Sequence, residues 1–192
     1  MKNYFKLTEE KKELFGHVLF RIEATIDLPV HGVKKGDKGG WVEKESNISG
    51  NAWVSGDARV SGDASVSGDA HVYGKAWISG DARVAGDARV SGDARVSGDA
   101  RVSGDAHVYG DASVPGDAHI DSISAIIVVC IALKHSITIT RKYIFIGCKQ
   151  FTRKEALKIT KKKAQELGLE KEYYTAYKTI VKGALLLVKE NA

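Results

Sequence analysis

Hydrophobic and polar residues follow one another along this chain in three rhythms, and each predicts a different kind of element. Over residues 17–27, Val18, Phe20, Ile22, Ala24 and Ile26 fall on every second position, the period of a strand buried on one face. Together with the short run at residues 4–7, this predicts a β-hairpin whose loop takes up residues 9–13. From residue 48 to residue 120 the period is six, with Val or Ile at 48, 54, 60 and every sixth position onward. After that the rhythm is lost. Residues 124–133 and 136–147 read as strands with a turn at Arg141 and Lys142. Residues 153–167 and 170–189 read as helices, the first opened by a Thr152/Glu155 capping box and stopped at Gly168.

The six-residue unit reads Gly-Asp-Ala-Arg-Val-Ser, with glycine at all twelve positions from 50 to 116 in steps of six and Ala two residues after each. Ala and Val stand two apart, so on an extended segment both point inward while the residue between them and the Ser point out. Glycine supplies the corner because it takes a positive φ at no steric cost, and Asp bonds its own turn. Units of this length are the signature of a parallel β-helix.

On those residues the chain resembles the hexapeptide-repeat family. The resemblance implies a left-handed β-helix shaped as a triangular prism, with three hexapeptides per coil. The expected architecture is mainly β: a left-handed parallel β-helix at 45–120, an N-terminal β-hairpin cap at 1–44, and a C-terminal α+β module of hairpin plus two helices at 121–192. A stacked array needs such caps, because its end coils would otherwise expose apolar core and unpaired strand edges. The N-terminal stretch followed by Gly-Asp-Ala units is also similar to small proteins of phages and prophages, described as hexapeptide-repeat, polymer-forming or transferase-like. Members of the wider family are trimers, so a homotrimer is implied.

Eighteen residues per coil sorts the outward side chains onto three walls. The first carries Trp53, His71, Arg89 and His107, flanked by Tyr73 and Tyr109; the second carries Arg59, Trp77, Arg95 and Ser113; the third carries Ser65, Arg83, Arg101 and His119. The first wall alone combines large aromatics with histidines and an arginine. It reads either as a subunit interface, where aromatics concentrate, or as a ligand surface. Arg83 and Arg101 fall on adjacent rungs, and like charges opposite one another on a ladder destabilise it. Corner carboxylates such as Asp81 and Asp99 with solvent screening are one remedy. A bound phosphate or carboxylate held by Arg83, Arg101 and His119 is the other.

The basic, glycine-rich stretch at residues 34–43 reads as a lead-in turn, since it lacks the order of a phosphate-binding P-loop. Charge is uneven: residues 50–120 hold six Lys/Arg against ten Asp/Glu, and residues 121–192 hold fourteen against six. The basic surplus therefore belongs to the C-terminal end, with Lys158, Lys161, Lys162 and Lys163 on a solvated helix face, so it is weak support for general nucleic-acid binding, and nucleic acid is not the expected partner. Tyr173, Tyr177, Ile180, Leu185 and Val188 suggest the apolar face of the last helix. Two cysteines, Cys130 and Cys148, make neither a disulfide lattice nor a metal cluster, and no cofactor or metal is expected. With the longest apolar run only nine residues, 125–133, neither signal peptide nor membrane span is expected, and the setting is the cytoplasm of a bacterial host.

Three function classes follow. The first is a hexapeptide acyltransferase, which the resemblance brings, with His71, His107 or His119 as general base. The second is a binding protein that sequesters a nucleotide-like anion on arginines and aromatic rings. The third is an interaction scaffold that engages another protein, such as a host defence component. Unbroken hexads leave no loop to enclose a reaction. The expectation is therefore a non-enzymatic, phage-type binding protein acting in counter-defence.

Overall fold

The computed structural model describes residues 4–116, 118–121, 126–129, 137–140, 143–146, 149–167 and 174–187. Three strands open it, β1 (Phe5–Leu14), β2 (His17–Ala24) and β3 (Lys38–Val42), followed by twelve two-residue strands, β4 to β15, from Trp53–Val54 to His119–Ile120. These twelve form a parallel β-solenoid of four coils and three walls. Residues eighteen apart are partners: His71 pairs with Trp53 and Arg89, Trp77 with Arg59 and Arg95, and Arg101 with Arg83 and His119.

Ala and Val both point inward, and from Val54 to Ile120 these positions are buried to 1% exposure or less. The core is narrow because its side chains are small, so the walls close over a ladder of aliphatic carbon. The glycine corners line up in three files. Gly92 sits at φ +71°, and a Cβ there would lie 2.8 Å from the Gly110 nitrogen. Asp57 N–H donates to Gly74 O at 2.8 Å in the same corners, so the turns join coil to coil as tightly as the strands do.

Each end of the column is closed. Phe5, Ile22, Ala24 and Leu28 join the solenoid core from the N-terminal segment. The hairpin differs from its expected shape. Residues 9–13 are strand, with a register shift between Leu7 and Lys11, and the turn is Phe15–Gly16 at φ +51° and +80°. Both left-handed residues match the twist of a two-residue hairpin turn. A further register shift lies between Arg21 and Glu23 against β3. Ile22 and Ala24 are buried as expected, but Leu19 is buried in place of Val18, which is 42% exposed, and Ile26, beyond β2, is 50% exposed. Residues 34–43 are more than a lead-in turn. Their end is β3, which pairs antiparallel with β2 and parallel with β5 (Arg59–Val60), placing Trp41 beside Arg59. A Cβ on Gly39 would lie 2.6 Å from Val54 O, so glycine is what allows β3 to seat on the first coil.

At the other end β16 (Ile126–Val129), β17 (Ile137–Thr140), β18 (Tyr143–Ile146) and β19 (Lys149–Thr152) form an antiparallel meander, followed by α1 (Arg153–Lys158), α2 (Lys161–Glu166) and α3 (Tyr174–Leu187). Alternation along β18 decides the packing: Phe145 enters the solenoid core, while Ile144 and Ile146 join Ile137, Ile139, Ala156, Tyr177 and Val181 in a second core. The helix expected over 153–167 is two helices. Ile159 leaves the helical conformation, and the Thr160 hydroxyl caps α2 by accepting from Lys163 N–H at 3.2 Å. Cys130, Cys148, Gly168, Tyr173, Val188 and the 141–142 turn lie outside the described residues. Among the described residues no helix is long and apolar enough to cross a membrane.

Candidate functional site

The first wall is shaped by the segment that crosses it. After β2 the chain runs through Leu28 into a 3-10 turn at Pro29–His31, and His31 Nε2 donates to Asn51 O at 2.7 Å. Tyr4 Oη donates to Ala52 O at 3.0 Å from the same side, and burial pushes its phenol pKa up. Trp53, the first rung, is therefore covered: it is 1% exposed and belongs to the core that also holds Leu28.

The second and third rungs form a cleft of about 210 Å³ with this turn, lined by Val30, His31, Asp69, His71, Tyr73, Asp87 and Arg89. The His31 and His71 rings lie 5.0 Å apart, and His71 lies 4.7 Å from the Tyr73 ring. Ser55 Oγ and His71 Nε2 share a hydrogen bond of 2.9 Å. Burial, followed by the nearby His31 and Arg89, pushes the His71 pKa down to about 4. The imidazole is thus neutral at physiological pH and able to donate or accept, but weak as a base. Asp69 is engaged by Asn51 Nδ2 at 2.9 Å. Arg89 is exposed and, among the described residues, makes no ion pair.

Of the six first-wall residues singled out from sequence, the cleft gathers His71, Tyr73 and Arg89. Trp53 lies buried, while His107 is half-buried and Tyr109 is 56% exposed further along the wall. Arg83, Arg101 and His119 occupy the third wall, all exposed, with Arg101 Nη1 within 3.4 Å of His119 Nε2. No ion pair joins Arg83 or Arg101 to Asp81 or Asp99. Sequence reasoning missed His31, which comes to the wall only through the fold of the cap, and Asp69 and Asp87, which it counted as turn residues. Among the described residues no three His, Cys, Asp or Glu side chains group so as to hold a metal.

Residues 76–92, 88–104 and 94–110 match a family model described as the YdcK beta solenoid repeat. Those stretches lie within the coils above and agree with them on a repeat β-solenoid. No curated protein matches the chain.

Proposed function

We propose that this chain is a non-enzymatic binding protein that captures a nucleotide-like anion beneath the Pro29–His31 turn. The observation that carries the reading is one cleft bringing together the Arg89 guanidinium, two imidazoles and the Tyr73 ring; Asp69, engaged by Asn51, and Asp87 also line it, so the anion is taken to sit at Arg89. Arginine offers a planar fork of donors to phosphate, the neutral His71 imidazole supplies hydrogen bonds, and an exposed tyrosine ring is a stacking surface. At about 210 Å³ the cleft is smaller than the roughly 300–1,000 Å³ of a typical small-molecule site. It suits a phosphate and its sugar, with the base lying outward along the wall. A homotrimer in which a neighbouring solenoid completes the cleft belongs to the same proposal, as do the phage-type setting and the role in counter-defence.

Calorimetry with cyclic and linear nucleotides tests it. Binding to the native chain and its loss in Arg89→Ala are expected; silence across the panel with an unchanged melting temperature removes the reading. One contact favours the acyltransferase alternative, the Ser55–His71 hydrogen bond. That reading predicts thermal stabilisation by coenzyme A, about 2.7 kcal/mol at a hundredfold excess over Kd. Against it stand the low basicity of His71 and coils that run without insertion from Gly50 to Gly116. A scaffold that engages a host defence protein predicts neither ligand effect.

A further inference from the structure

We propose that the second wall, together with the tip of the N-terminal hairpin, is a platform for single-stranded nucleic acid, with phosphates on its arginine rungs and a base stacked on Phe15. Strand pairing sets Arg21, Trp41, Arg59, Trp77 and Arg95 on five successive rungs of one sheet. Cation and aromatic thus alternate along the solenoid axis over about 19 Å at the usual strand spacing. The combination of a basic track with stacking rings is what single strands recognise without regard to sequence.

The cap reinforces this ladder. Lys12 Nζ lies 4.0 Å over the Trp41 ring and the Arg21 guanidinium 5.1 Å from it. Burial, then Arg59 and Arg21, push the Lys12 pKa down, with Asp57 opposing. Three adjacent rungs also leave buried donors without a hydrogen-bond acceptor, Arg21 Nε, Trp41 Nε1 and Arg59 Nε. Being buried, those three donors are out of reach of an outside phosphate; it is the positive charge gathered by Lys12, Arg21, Arg59 and the exposed Arg95 that an anion complements.

Phe15 supplies the second, independent observation. It stacks on Trp77 at 5.1 Å and 13° between ring planes, yet stays 75% exposed. It also holds φ +51°, where hairpin turns favour Asn, Asp or Gly. An apolar ring kept exposed in a disfavoured backbone conformation over a cationic ladder is poor design for folding and suits contact with a base. Acidic corners flank the ladder on both edges, Asp57 and Asp93 with Lys75 between them on one, and Asp63, Asp81 and Asp99 on the other, where Asp63 is paired with Lys44. A duplex, whose bases are already stacked on one another, has none to offer the ring.

The test titrates the full chain against a labelled oligothymidylate of about 12 nucleotides at low salt, read by anisotropy and by quenching of tryptophan fluorescence. Binding is expected to weaken as salt rises, and Arg59→Ala and Arg95→Ala each to reduce the log–log slope by about 0.7. Phe15→Asn is expected to lower affinity about fivefold or more without lowering the melting temperature, because Asn suits the turn. Arg83→Ala, on the third wall, should leave affinity and slope unchanged. No binding, equal affinity for a duplex of the same length, or an equal loss in Arg83→Ala overturns the proposal. Arg89→Ala should not affect the oligonucleotide, so this proposal and nucleotide capture on the first wall succeed or fail separately.

Discussion

The solenoid and the C-terminal module bury comparable aliphatic residues by opposite means. In the solenoid each coil repeats the one below it, so each Ala, Val and Gly meets its own kind eighteen residues away. In the C-terminal module the core is irregular, and it includes Tyr177, which is fully buried and donates its hydroxyl to Ala156 O at 2.9 Å. The column therefore tolerates little at a corner, and its repeated coils are held by backbone bonds and small aliphatic side chains. The module depends on single side chains that reach across it. Stability in a stacked array is a sum of neighbour terms, whereas a small irregular core rests on particular fits.

The largest test of that contrast is in the glycine files. Gly92→Ala combines a left-handed Cβ with a contact of 2.8 Å to the next corner, and a loss of about 3 kcal/mol in urea unfolding is expected. Gly110→Ala has the same backbone conformation and nothing within 4 Å, so it should lose only about 1 kcal/mol. Equal losses would mean that corner stacking contributes nothing.

Tyr177→Phe should cost about 0.5–1.5 kcal/mol by removing one of the two hydrogen bonds to Ala156 O, the other coming from Ile159 N–H. Hydrogen exchange should place the new opening in the helices and their sheet, leaving amides of the coils protected. Equal loss of protection in both regions would merge the two into one cooperative unit.

A smaller effect is tied to pH. Burial holds folded His71 at a pKa of about 4 against the ordinary 6.5. On acidification the unfolded chain takes up that proton first, so stability falls from about pH 6.5 toward pH 4 and is unaffected above that window. His71→Asn should flatten this part of the stability curve, and an unchanged curve would place the acid sensitivity elsewhere.

The smallest effect is on the third wall. Arg83→Ser removes one of two arginines on paired rungs, and should stabilise the chain by about 0.2–1 kcal/mol at low salt, with the gain shrinking as salt rises. A loss instead would mean that Arg83 makes a favourable contact.

Much of this was legible in the residues, and for a local reason. A period of six with glycine at one position and Ala and Val at two others leaves few ways to bury the aliphatic positions, and the three walls follow from counting in eighteens. The candidate site was only partly legible. His71, Tyr73 and Arg89 could be assigned to one wall, but the cover over Trp53, the approach of His31 and the stack of Phe15 on Trp77 come from a cap with no repeat to index it. The break at Ile159 was likewise hidden, since Thr160 reads as an ordinary helix residue until its hydroxyl is seen capping α2.

The sequence by itself therefore determined the column: which residues face inward, which share a wall and which rung lies beside which, because in a periodic ladder position follows from number. Only the tertiary structure decided which parts of those walls are open. That choice depends on where the hairpin, the Pro29–His31 turn and the Phe145 plug come to rest, and such contacts join residues whose separations along the chain follow no period.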